Sequence, residues 1–176
     1  MRKVSREVAE SVVLALVLTV RAAPAMASGS LTDIITSPGP DGFAEKEALA
    51  AAIALLPEGP VRIAVINVNE NRAAVRDHLL TLDAFTVKGN SVIYVVQQSE
   101  LFKRARAGSA LHRAMLATVL WHEMAHLSGA DERAARHAEE KLWMRYVRDG
   151  LTDQVTGLRY LEALRQRPDD QLLASR

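Results

Sequence analysis

The pattern of apolar and polar positions changes character several times along this chain. Val12 to Val20 form an almost unbroken apolar run, VVLALVLTV, preceded by Arg2, Lys3 and Arg6. From Phe43 to Leu56 the stretch FAEKEALAAAIALL consists of good helix formers and stops at Pro57, which predicts a helix. VRIAVINV (61–68) is rich in β-branched residues and alternates, which predicts a strand. NRAAVRDHLLTL (71–82) suits a short helix, and AFTVKGNSVIYVV (84–96) reads as two strands around a Lys88-Gly89-Asn90 turn. Three helical stretches follow at about 109–128, 131–148 and 153–166. This order, a small α/β part and then an all-helical part, predicts an α+β fold in which a short mixed β-sheet precedes a central helix and further C-terminal helices.

The ends of the pattern set the domain organisation. The basic start, the short apolar run and Ala25-Met26-Ala27 as a small-x-small cleavage site predict a secretory signal over residues 1–27. That run is shorter than the roughly 20 residues a bilayer span needs, so no stable membrane insertion is expected once the signal is cut. Residues 28–42, SGSLTDIITSPGPDG, are rich in Gly, Pro, Ser and Thr and read as a flexible leader. Residues 43–176 are then a single domain, and the mature chain is expected to be exported, to a periplasm or to the outside.

Charge and cysteine content narrow the chemistry. Residues 1–27 hold four basic side chains (Arg2, Lys3, Arg6, Arg21) and two acidic ones (Glu7, Glu10), so removing them moves the formal charge from +1 to −1. A balance this close to neutral gives no electrostatic case for nucleic acid or an anionic membrane as partner. The chain has no cysteine. That excludes disulfides and thiolate ligands, so any zinc must be held by histidine and carboxylate.

The helix pattern between Ala114 and Leu127, AMLATVLWHEMAHL, is apolar on nearly all sides, which implies burial. Thr118, His122, Glu123 and His126 interrupt it. His122 and His126 stand one turn apart and project from the same face. Glu123 lies about 100° around from His122, close enough to address a water on the same metal. Burying three ionisable groups in an apolar helix is unfavourable unless each has a strong partner, and a bound cation is such a partner. Core histidines satisfied by hydrogen bonds are the plain alternative.

With these residues on one helix, the chain resembles the zincin metallopeptidases, whose signature is this His-Glu-x-x-His pentapeptide on a central helix. His122-Glu123-x-x-His126-x-x-Gly129-x-x-Glu132 has the spacing of the extended metzincin motif, with glutamate in place of a third histidine. The resemblance implies a small zincin-like fold, one zinc ion held by His122, His126 and a third ligand at Glu132, and Glu123 as the base that activates a metal-bound water. It covers residues 109–140. The chain departs from metzincins beyond Glu132, where ERAARHAEEKLWMRYVR continues as helix with Met144 inside it. That continuation is closer to the gluzincins, whose third ligand is a glutamate on a second helix.

If the second helix folds back around Gly129, positions equidistant from the turn face each other, which pairs 132 with 126 and 136 with 122. Glu132 is then the first choice of third ligand. Glu139, Glu140, Asp131 and His137 remain as alternatives, with Asp131 also a natural helix N-cap and Glu139 or Glu140 also acceptors for a ligand histidine. His78 and His112 read as ordinary surface or structural histidines.

Three protein ligands leave an open position, the catalytic arrangement. An exported zinc metallopeptidase acting on peptides or unfolded protein is thus expected, with a non-catalytic zinc-binding domain in a structural or partner-binding role as the alternative. Tyr146, Tyr160, His137 and nearby arginines are candidates to stabilise an oxyanion. The strand before the site helix adds a further expectation. By the same resemblance, Val92, Ile93, Tyr94 and Val95 lie on the sheet edge above the cleft and bind an extended substrate by backbone pairing. A plain interior strand is the alternative there.

Overall fold

The computed structural model describes residues 32–60, 62–70 and 73–166, so the expected signal over 1–27 lies outside it. Its strands are β1 (Asp33–Ile35), β2 (Arg62–Ile66), β3 (Ala84–Thr86) and β4 (Ile93–Val96). Its helices are α1 (Pro40–Ile53), α2 (Ala73–Leu79), α3 (Glu100–Arg106), α4 (Ala110–Leu127), α5 (Glu132–Arg148) and α6 (Gln154–Gln166), with a 3₁₀ turn at Val68–Glu70. The fold is α+β, a four-stranded mixed sheet followed by C-terminal helices, as the element order predicts.

The strand order is β1-β2-β4-β3, with β1, β2 and β4 mutually parallel and β3 antiparallel to β4. β4 is buried along its whole length, as a parallel strand covered on both faces must be. Ile93 and Val95 face the main core, which α1, α3, α4, α5 and α6 complete. On the other face Tyr94 packs with Ala64 and Val92, and its ring stacks on Phe85 at 5.3 Å. The helix α4 is the hub: it packs against α1, α3 and α5 and against the sheet at β3 and β4. No helix among the described residues is long and apolar enough to cross a membrane.

Three expectations change. The leader is ordered structure from residue 32 onward: Asp33–Ile35 adds to the sheet beside β2, and α1 begins at Pro40 within the same stretch. Nothing in the side-chain pattern of TDIITS announces this, because the strand is held by backbone pairing to Arg62–Ala64. α3 was not expected; its seven residues are mostly charged, and the cue is Ser99, whose side chain caps the Phe102 amide at 3.0 Å. Third, Val92–Val95 do not lie on an edge. β4 is paired on one side to β2 and on the other to β3, so its backbone groups are already used. The edge strand next to the site helix is β3.

One buried carboxylate ties the N-terminal elements together. Glu45 of α1 is fully buried and accepts from the Ser37 amide at 3.0 Å and from Gln97 Nε2 at 2.6 Å, with Arg106 Nη1 3.7 Å away. Its contacts stay within α1, α3 and the strand ends, so its role is to hold the fold.

Candidate metal centre

The site is built at the turn between α4 and α5. Gly129 ends α4 with φ 90°, a left-handed conformation that glycine adopts without strain. The Ala130 amide then bonds back to the Ala125 carbonyl and the Gly129 amide to the His126 carbonyl, both at 2.9 Å, which is a Schellman closure. Asp131 caps α5 by accepting from the Ala134 amide at 2.8 Å. The closure leaves the Ala130 carbonyl 3.0 Å from His126 Nδ1, so the turn that ends the helix also orients a ring on it. Glu132, the first residue of α5, swings back over the end of α4.

Three side-chain atoms converge as a result. His122 Nε2 and His126 Nε2 are 3.0 Å apart, and Glu132 Oε2 is 3.2 Å from His126 Nε2 and 3.6 Å from His122 Nε2. His122, His126 and Glu132 form the group among the described residues that can hold a metal ion. The other nitrogen of each ring faces an oxygen. His126 Nδ1 faces the Ala130 carbonyl, which assigns it the proton and leaves a lone pair on Nε2. His122 Nδ1 is buried and stands 3.1 Å from Glu139 Oε2, a carboxylate that can only accept, although the contact is poorly aligned for a hydrogen bond. Two ring nitrogens and a carboxylate oxygen thus converge on one spot, an arrangement that added positive charge stabilises, whether a metal ion or a proton on a ring.

The spacing suits a small cation. A tetrahedral ion with bonds of about 2.0–2.1 Å holds its donors roughly 3.3 Å apart. The observed separations of 3.0, 3.2 and 3.6 Å bracket that edge. Two imidazoles and one carboxylate are a donor set for zinc and for other divalent transition metals. The three side chains keep some exposure, between 13% and 24%, so the site is reachable from solvent.

The electrostatics agree with a site that attracts positive charge. Burial works against the His122 cation, yet Glu139, Glu123 and Glu132 together hold its pKa above the ordinary histidine value. Burial also works to raise Glu132, but Arg136, whose Nε donates to Oε1 at 2.8 Å, and the two histidines outweigh it and keep the carboxyl below its usual range. Arg136 therefore fixes one oxygen of Glu132 and leaves the other for the histidines. Glu123 is different. It is buried, and that burial raises its pKa despite the two histidines and a hydrogen bond from Thr86 on β3.

Glu139 is not a member of the converging group; it is the buried carboxylate 3.1 Å behind His122. Glu140 pairs with Arg165 at 3.4 Å, and Asp131 is spent on its cap. His137 is exposed on α5, and His112 is held by Ser109 at 2.7 Å at the far end of α4. Of the oxyanion candidates, Tyr146 donates to the Leu55 carbonyl and Tyr160 to Glu139, both at 2.8 Å. Two contributors and one role are not in the sequence expectations. Arg136 has a visible signal, a cation one turn after Glu132. Thr86 has none, and Tyr160, expected as an oxyanion candidate, instead donates to Glu139, because tertiary packing alone brings each to the site.

A groove of about 410 Å³ opens beside the site, walled by Thr86, the 87–91 turn, His126 and Leu127. A second cavity of about 440 Å³, between α5 and α6 at Met144, Leu158 and Leu161, contains none of the site residues. Compared with protein-family models, with curated proteins and with solved structures, the chain matches none.

Proposed function

We propose that this protein is an exported zinc metallopeptidase that hydrolyses peptide bonds in extended or unfolded chains. The observation that carries the reading is the convergence of His122 Nε2, His126 Nε2 and Glu132 Oε2 beside a buried glutamate with a raised pKa. A closed structural site has no use for such a carboxylate. His122, His126 and Glu132 would hold the ion, which when bound supplies a Lewis acid and an acidified water. Glu123 takes the proton of the attacking water and returns it to the leaving amine nitrogen. Its raised pKa suits both halves of that transfer, since a carboxyl nearer neutrality both accepts and releases a proton readily. Arg136 keeps Glu132 ionised and aimed.

The substrate would lie along β3. Ala84–Thr86 is the outer strand of the sheet, and Thr86 both lines the groove and contacts Glu123. An extended peptide pairing with that edge would pass its scissile bond over the histidines, recognised by backbone more than by side chains. The alternative reading, a non-catalytic zinc-binding domain, is favoured by one feature: among the described residues the groove is walled by a single strand, a turn and the end of α4. Export rests on the apolar and basic pattern of residues 1–27.

Glu123→Gln separates the two. The substitution keeps the shape and removes the base, so zinc should remain bound while cleavage of a mixed unfolded-protein substrate is lost. A wild-type chain that holds zinc and cleaves nothing across the pH range would establish the binding-domain reading instead.

A further inference from the structure

Behind the metal-facing side of His122, a line of buried and part-buried polar groups runs across three helices. His122 Nδ1 on α4 stands 3.1 Å from Glu139 Oε2 on α5. The second oxygen of Glu139 accepts from the Tyr160 hydroxyl on α6 at 2.8 Å. That hydroxyl lies 3.2 Å from Thr118 Oγ1, back on α4 one turn before His122. Each hydroxyl has a single proton, so the directions follow. Tyr160 gives its proton to the carboxylate, the stronger acceptor, and Thr118 is left to donate to the Met115 carbonyl at 2.8 Å or to Tyr160. The Tyr160 ring is set against Trp143, with centroids 4.3 Å apart.

Glu139 is only 2% exposed, and a carboxylate this deep needs both oxygens engaged. Tyr160 donates to one, and the other stands 3.1 Å from His122 Nδ1, an ion-pair contact poorly aligned for a hydrogen bond. With the hydroxyl removed, one oxygen would be buried without a donor, and the carboxylate would rotate or draw water to recover one. Either change moves the oxygen that sets the His122 ring. The ring's other nitrogen is one of the three converging donors, so the disturbance reaches the metal position without Tyr160 touching it.

We propose that Tyr160 is a positioning residue of the metal centre: its hydroxyl fixes the Glu139 carboxylate that orients His122, making α6 a determinant of metal affinity. This rests on the metal-binding reading above. It places the C-terminal helix within the site although that helix contributes no ligand.

The test is a double-mutant cycle on metal binding, using zinc against a competing chelator and cobalt(II) for its absorption bands. Tyr160→Phe keeps the ring packed on Trp143 and removes only the hydroxyl. It should weaken zinc binding on the order of tenfold, within the range typical for outer partners of a ligand histidine, and shift the cobalt bands. Glu139→Gln should weaken binding as well. In that background, adding Tyr160→Phe should have little further effect, because the link it breaks is already lost. A purely structural tyrosine would instead lower stability and leave affinity, spectrum and coupling unchanged. If wild type binds zinc and Tyr160→Phe binds it equally well, or if the two effects simply multiply, the positioning role is refuted and the metal site stands. If wild type binds neither metal, the metal reading itself fails. Should Tyr160→Phe not fold, Thr118→Val replaces it, removing the hydroxyl's second contact; a several-fold weakening is expected, and unchanged affinity and cobalt bands would overturn the proposal.

Discussion

Replacing Gly157 with alanine should destabilise the protein, although alanine is the better helix former. Gly157 lies in the first turns of α6, where that helix crosses α5. A Cβ added there would overlap Val147 Cγ2 and touch its Cγ1 at 3.4 Å. Two terms compete. Glycine to alanine within a helix gains roughly 0.5–1 kcal/mol from backbone entropy. Against it, Val147 sits on α5, where a β-branched side chain has essentially one rotamer, so the overlap cannot be relieved by a simple turn of the side chain. Forcing an extra carbon into packed surroundings typically costs about 1–3 kcal/mol. The crossing has little room to open, because Trp143 Nε1 donates to the Gly157 carbonyl at 2.9 Å and Trp143 is fully buried. The overlap wins, and the expected net loss is about 1–2 kcal/mol, seen as a fall in melting temperature of several degrees for a domain of this size. Urea titration followed by tryptophan fluorescence measures it. Adding Val147→Ala should recover much of the loss, with a coupling energy of about 1 kcal/mol in the double-mutant cycle. A Gly157→Ala protein as stable as wild type, or additive effects, would refute this account of the crossing.

Two further outcomes follow from the same geometry. Gly129→Ala forces a left-handed φ on a residue with a Cβ, which should cost about 1–2 kcal/mol of stability, and zinc affinity should drop with it because the same turn sets the Ala130 carbonyl on His126; Gly129→Asn, which tolerates this backbone, should recover part of both in thermal melts and zinc titrations. Tyr146 is pushed up to about 12 by burial, from an ordinary 10, so the folded state keeps its proton after the unfolded chain has lost it. Its contribution is therefore complete below about pH 10 and is lost as pH rises from there toward 12. Stability measured across that range should fall less steeply in Tyr146→Phe than in wild type.

What the sequence revealed and what it hid divide along chain distance. His122, Glu123 and His126 share one helix, so spacing alone placed them together. Glu132 was accessible because a four-residue link containing Gly129 separates two helices, and such a turn allows few geometries. The hairpin of β3 and β4 was equally local. The insertion of β4 between β2 and β3 was not, since strand neighbours in a parallel sheet depend on how helices pack across it, and this moved the free edge from Val92–Val95 to Ala84–Thr86. Glu139 was open to two readings until its partner was known. It became a buried acceptor only because Tyr160, 21 positions later, closes over it. No pattern in QVTGLRYLEALRQ distinguishes that tyrosine from a core aromatic.

His122, His126 and Glu132 should together hold one divalent ion. Zinc stoichiometry by elemental analysis, with the coordination shell read by X-ray absorption, tests it most directly. One zinc per chain is predicted, bound by two imidazole nitrogens and at least one carboxylate oxygen with a water-accessible position, and sharply reduced in His126→Ala and Glu132→Ala. A wild-type chain that retains no zinc after exposure to the ion, or one whose zinc survives loss of both His126 and Glu132, would contradict it.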